Sequence, residues 1–141
     1  MSEQAALDAE LGEFFTDYAA AWSAFDTEAV ALFLAVPFMQ VNGTTTEFFE
    51  TGAEIDAMLA AEAERWRAAG VMAAAAAIKQ VLPLPDEAAR VDVEWVLSGS
   101  GAELQRLKVR YTLASEAGRW AVMVADTGRT GGACAEVGAV G

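Results

Sequence analysis

The sequence predicts an α+β fold: three helices from the N-terminal half packed on a strongly curved, mainly antiparallel sheet, forming a cone with an internal pocket. Three observations carry this. Apolar residues recur at helical spacing in three stretches before Gly70, broken by one Asn-Gly hairpin signal. Two later stretches, 90–97 and 103–113, alternate strictly between apolar and polar residues, as half-buried strands do. The order helix, helix, hairpin, helix, meander places all helices on one sheet face, and a curved sheet closed poorly at one end leaves a concave pocket beneath the first helix.

The first helix is expected over 3–25, with Leu7, Leu11, Phe14, Phe15, Tyr18, Trp22 and Phe25 on one face. Tyr18 lies near the centre of that face, so its hydroxyl points inward and needs a partner. Asp26 reads as the N-cap of a short second helix carrying Val30, Leu32 and Phe33, which ends before Pro37. A strand over 38–41, the turn Asn42-Gly43 and a strand over 44–50 make the hairpin. The third helix spans 52–70 and stops at Gly70, a residue suited to the C′ position.

Residues 71–84 are alanine-rich, which favours helix. They follow a helix stop and end in Val81-Leu82-Pro83, so a strand is expected. Val91, Val93, Trp95 and Leu97 then oppose Arg90, Asp92 and Glu94. Leu107, Val109, Tyr111 and Leu113 oppose Arg106, Lys108, Arg110 and Thr112. A last strand is expected over 119–125. The segment 127–141 carries five glycines without periodicity and reads as a flexible tail, leaving 1–126 as the one folded domain.

Composition narrows the function classes. The net charge is −12, from 9 basic and 21 acidic residues, so no nucleic-acid and no membrane-surface partner is expected. There is no histidine, which removes the commonest general base and metal ligand; no metal and no cofactor are expected. The lone cysteine, Cys134, excludes a disulfide framework within the chain. The first residues lack a basic and apolar leader pattern, and no apolar run approaches the roughly 18 residues of a membrane span, so a cytoplasmic location is expected.

One residue breaks the apolar patterning. In the third helix the stripe is Ile55, Met58, Leu59, Ala63, Trp66 and Ala69, and Glu62 falls in its middle, between Met58 and Trp66. A carboxylate placed there needs a partner, a shifted pKa or a chemical role.

The stretch FFTDYAAAWSAFDTEAVALFLAVPFMQVNG, the segment RYTL at 110–113 and GRWAVMVAD at 118–126 resemble the nuclear transport factor 2-like superfamily, in its SnoaL-like branch. The resemblance covers about residues 8–126. It implies the cone fold and a homodimer formed through the sheet, but no single activity, since that superfamily holds isomerases, dehydratases, cyclases, epoxide hydrolases and non-catalytic assembly domains. Laid on the ketosteroid isomerase pattern, Tyr18 matches the oxyanion-hole tyrosine. The catalytic aspartate position falls on Asn42, which cannot act as a base, and the second oxyanion-hole acid falls near Arg110. Isomerisation by that mechanism is therefore rejected. The association domain of calcium/calmodulin-dependent kinase II is similar in the same strand and places a pocket arginine near Arg110; that family binds small carboxylates, which supports an inward Arg110.

The expected site is thus Glu62, Tyr18 and Arg110 on the pocket floor: Arg110 gripping a carboxylate or enolate oxygen, Tyr18 donating a hydrogen bond, and Glu62 acting as general base or acid. The structural alternative is a Glu62–Arg110 or Glu62–Lys108 ion pair between helix and sheet, or a Glu62 that reaches out to solvent. Gln40 and Asn42 are candidates for the pocket mouth, although Asn42 also suits the turn by itself. Phe14, Trp22, Phe38 and Trp66 are expected to line the interior. Arg110 competes with a second pattern, because Arg90, Asp92 and Glu94 facing Arg106, Lys108 and Arg110 form a charge ladder that suits a solvated sheet face. The leading function is binding of a small, mostly apolar molecule, a carboxylate among the candidates. Cofactor-free isomerisation, dehydration or cyclisation and a non-catalytic dimeric assembly domain are the alternatives.

Overall fold

The computed structural model describes residues 3–127. Helix α1 (Glu3–Ser23) leads through a tight turn to α2 (Thr27–Ala31), then to the hairpin of β1 (Leu34–Asn42) and β2 (Thr45–Phe49). Helix α3 (Gly52–Ala68) follows, and then the long strands β3 (Ala73–Leu84), β4 (Ala88–Ser98), β5 (Glu103–Glu116) and β6 (Arg119–Asp126). The six strands form one sheet in the order β2-β1-β6-β5-β4-β3. Four of its pairings are antiparallel, and the hairpin joins the meander through a parallel β1–β6 pairing, so the sheet is mixed. The register shifts once in each of the β3–β4, β4–β5, β5–β6 and β1–β6 ladders. Such irregularities bend and twist a strand, and here they curve the sheet around the helices.

Local chemistry explains the helix ends. Asp26 caps α2 as expected, its side chain accepting from the Ala29 N–H. Helix α3 opens on a capping box between Thr51 and Glu54. It closes with Gly70 at φ 85° and bonds from Gly70 N–H to the Arg67 carbonyl and from Val71 N–H to the Trp66 carbonyl, the paired bonds of a Schellman motif. Helix α1 stops short of the expected Phe25 because that residue takes φ 55° and repeats the same two-bond closure, to Trp22 and Ala21. Ser23 then ties the helix to the sheet: its Oγ accepts from Ala74 N–H and donates to the Ala74 carbonyl, each over 2.9 Å.

Strand β1 starts at Leu34, before Pro37, rather than at residue 38 as expected. Pro37 lies where the β1–β6 register slips, between Leu34 and Met39, and a residue without an N–H is tolerated at such an interruption.

The core lies between the helices and one sheet face. Leu11, Phe15, Ile55 and Leu59 from the helices meet Val91, Val93, Leu97 and Leu113 from the strands, all nearly or fully inaccessible. This decides which face of β5 looks inward. Leu107, Val109, Tyr111 and Leu113 are buried, whereas Arg106, Lys108 and Arg110 are exposed on the opposite face. There the register sets Asp92 against Arg110 and Glu94 against Lys108, so the charge ladder faces away from the helices.

The chain remains anchored one residue past the expected domain boundary. Thr127 is buried, its N–H and hydroxyl bond the Val41 carbonyl, and its hydroxyl also lies 3.0 Å from Asn42 Oδ1. The rest of the expected tail, 128–141 with Cys134, lies outside the described residues.

Candidate functional site

Helix α1 places Tyr18 and Trp22 one turn apart on its buried face, and α3 places Met58, Glu62 and Trp66 at four-residue intervals on the facing side. Phe38 and Gln40 enter from β1, and Trp95 and Tyr111 from β4 and β5. Together with the aliphatic residues around them they enclose a chamber of about 90 Å³. A broader groove of about 790 Å³ runs between the β1–β2 hairpin and α3, with Asn42, Glu47, Phe48, Glu54 and Arg65 on its walls. Gln40, Met58 and Glu62 line both spaces and so stand at the boundary between them.

Glu62 is held at that boundary by its own helix. Its Oε1 accepts from Trp66 Nε1 over 3.0 Å, and its Oε2 pairs with the Arg65 guanidinium. Its side chain keeps 20% of its exposure, so it is neither sealed in the core nor free in solvent. The ion-pair partner is therefore Arg65, three residues on, and not Arg110 or Lys108 across the sheet. Neighbours three and four apart on a helix meet without any long-range alignment. The Trp66 bond also fixes the indole, whose ring lies 4.6 Å from that of Trp22, centre to centre.

Tyr18 sits deeper, surrounded by the rings of Phe15, Phe33, Trp95 and Tyr111. Burial pushes its phenol up to about 12; the Trp22 indole N–H opposes that shift, and the nearby charge of Glu62 adds to it. Tyr18 consequently holds its proton at neutral pH and can offer a hydrogen bond but not act as a base. On the sheet side Trp95 Nε1 donates to Tyr111 Oη over 2.8 Å, a fully buried bond joining adjacent strands.

Two expected site residues lie elsewhere. Arg110 is exposed on the outer sheet face, where its Nε bonds Asp92 Oδ1 over 2.8 Å. The strand's strict alternation sends Val109 and Tyr111 inward and Arg110 out, so Arg110 cannot meet Tyr18 and Glu62. Phe14 is half-buried, packs edge-on against Phe33 at 5.2 Å and stacks on Tyr18 at 6.1 Å, but it lines a separate surface groove with Trp120 and not the chamber itself. Asn42 lines the groove but not the chamber. Tyr18, Trp22, Phe38, Gln40, Glu62 and Trp66 are brought together around the chamber. Sequence reasoning did not assign Trp95, Tyr111, Thr127 or Arg65 to the site. The alternation of β4 and β5 was the signal for the first two, and the three-residue step from Glu62 the signal for Arg65. Among the described residues, no group of three or more acidic or cysteine side chains is placed to hold a metal ion.

A family model described as "NTF2-like protein (DUF6841)" matches residues 9–130. The chain belongs to this NTF2-like family. Solved structures agree on the fold. An NTF-2 like protein of unknown function from Shewanella oneidensis is 16% identical with a TM-score of 0.67, over 84% of this chain and 95% of that one. Aln2 from a Streptomyces species is 15% identical with a TM-score of 0.67, over 89% and 91%. A protein from Catenulispora acidiphila is 18% identical with a TM-score of 0.66, over 86% and 90%. At such identities the likeness is one of fold alone. No curated protein matches the chain in sequence. No helix among the described residues is long and apolar enough to cross a membrane.

Proposed function

We propose that this NTF2-like chain binds a small, mostly apolar molecule, with a compact part of it in the chamber and the remainder in the groove. The observation that carries the reading is the chamber wall. Trp22, Phe38, Trp66 and Trp95 dominate it, and Tyr18, Gln40, Glu62 and Thr127 supply a few polar atoms. Apolar walls with a few placed polar groups are the usual make-up of a ligand site. The chamber has the volume of about three waters, which suits a head of a few non-hydrogen atoms. The carboxylate ligand expected from Arg110 loses its support, because Arg110 stands outside. Three tryptophans wall the chamber, so occupancy changes intrinsic fluorescence. A library of small apolar compounds should give saturable fluorescence changes with a raised Tm; silence across the library overturns the reading.

A second reading is cofactor-free proton transfer (isomerisation, dehydration or cyclisation), favoured by one observation: Glu62 and Tyr18 line the same chamber. Glu62 would move the proton, and Tyr18, which keeps its own, would hydrogen-bond the oxygen that gains charge. Turnover that survives Glu62→Gln overturns it. A purely assembling domain would suit a filled cone, and the open chamber argues against that. The outer sheet face is read as the contact of a homodimer and the location as cytoplasmic. Sedimentation of the purified chain as a monomer at micromolar concentration would overturn the dimer.

A further inference from the structure

We infer that the head group held in the chamber is a hydrogen-bond donor carrying positive charge, a small alkylammonium, recognised by Glu62. This rests on the chamber being a binding site. Among the described residues lining the chamber, Glu62 is the one with a formal charge at neutral pH, and no lysine or arginine reaches the wall. Tyr18 holds its proton, and the remaining polar groups, Gln40 and Thr127, are neutral. An anionic head would therefore enter an apolar space beside a carboxylate, with the nearby guanidinium of Arg65 on the groove side and already paired with Glu62, so desolvation and repulsion both oppose it. An ammonium entering the same space meets a carboxylate and a wall rich in aromatic rings, surroundings that favour cations.

The groove repeats this bias on the way in. Glu47, Glu54 and Glu62 line it against the single guanidinium of Arg65, and Arg65 is already paired with Glu62. The whole chain carries −12, so the approach is attractive to cations over a wider range. Glu62 spends one oxygen on Arg65 and the other on Trp66. Each carboxylate oxygen accepts more than one hydrogen bond, so an ammonium N–H can be added without breaking either contact. The pairing with Arg65 and Trp66 then serves to orient the carboxylate that a cation approaches.

The test uses three probes of nearly equal size on the full chain: butylammonium, butan-1-ol and butyrate, each titrated against intrinsic tryptophan fluorescence at low ionic strength. Butylammonium should bind at least ten-fold more tightly than butyrate and more tightly than the alcohol. The margin over the alcohol, measured in the same variant, should shrink several-fold in Glu62→Gln. Glutamine keeps one acceptor oxygen, which can serve Trp66 while the bond to Arg65 is lost, and if the variant fails to fold, the ranking on the unchanged chain decides. Butan-1-ol binding with butyrate equal to or tighter than butylammonium overturns this inference and leaves the binding site standing. A margin unchanged in Glu62→Gln also overturns it. If no probe binds, the alcohol included, the binding site itself is overturned and the inference with it.

Discussion

The indole Nε1 of Trp66 donates to Oε1 of Glu62 over 3.0 Å, one turn back along α3, so the residue that breaks the helix's apolar stripe is also the one that fixes its largest buried side chain. Trp66 is 8% exposed. Its N–H has little access to water, and Glu62 supplies the acceptor it needs. A stability contribution and a place at the chamber boundary thus meet in one carboxylate. Replacing Glu62 by Gln keeps an acceptor and should change stability by less than about 1 kcal/mol, whereas Glu62→Leu strands the buried N–H and should cost about 1–3 kcal/mol. Urea unfolding of both variants measures the difference. Equal stabilities would mean that Trp66 does not depend on this bond.

Trp95 and Tyr111 make the same point on the sheet side. Their bond of 2.8 Å is buried and spans β4 and β5, and Tyr111 also packs on Phe15 at 5.1 Å. Tyr111→Phe preserves the ring and its packing but removes the acceptor for Trp95 Nε1. The expected loss is about 1–3 kcal/mol with little change in fold, read from chemical denaturation. A neutral substitution would show that Trp95 finds another acceptor in the chamber.

Tyr18 supplies a pH signature. Its folded pKa of about 12 lies above the ordinary value of 10.0, so the folded state binds the proton more tightly than the unfolded one. Below pH 10 both states are protonated and the contribution is fully present. Between about pH 10 and 12 the unfolded chain gives up the proton first, and stability falls by about 2–3 kcal/mol in all. Tyr18→Phe should lack this component, so the stability difference between the two proteins changes over that window. Parallel stability curves through the window would place the Tyr18 hydroxyl in water rather than in the core.

Most of the fold was legible because it rests on local patterns. The faces of α1 and α3, the Asp26 cap, the Gly70 stop and the alternation of β4 and β5 are each written in a few neighbouring residues, and each recurs in the structure. Glu62 stood out for the same reason: one polar residue in an apolar stripe is a local anomaly. The facing of Arg110 was different. A strand's two faces are distinguished by what lies over them, and a charged row can be covered by a partner or by water. The alternation carried the answer, since Val109 and Tyr111 continue the apolar set of Val91, Val93 and Trp95. Only the register of Asp92 against Arg110 shows that the charges already satisfy one another. The parallel β1–β6 pairing was equally out of reach, because it joins segments about 85 residues apart in sequence.

Filling the chamber separates binding from folding. Ala125 lies on β6 against the chamber, which has space for a few more carbons. Ala125→Leu should abolish the fluorescence response to small apolar probes while altering stability by no more than about 1 kcal/mol, because the added methyl groups enter a void instead of a packed wall. Retained binding at unchanged affinity would locate the ligand in the groove alone.

The outward position of Arg110 makes the opposite prediction for a residue that the sequence had placed in the pocket. Its guanidinium is half-exposed and paired with Asp92, with Asp126 set against it from β6. Its pKa is raised, chiefly by the hydrogen bond and charge of Asp92. Screening by solvent and salt limits such a pair to about 0–1 kcal/mol. Arg110→Ala should therefore unfold within about 1 kcal/mol of the parent and bind chamber probes with unchanged affinity. If the outer face is a dimer contact, the same variant should shift the dissociation constant measured by sedimentation while leaving the chamber untouched, since it removes the positive charge that faces Asp92 and Asp126 at that surface. Loss of probe binding in Arg110→Ala at unchanged stability would return this arginine to the pocket and overturn the assignment of the sheet faces.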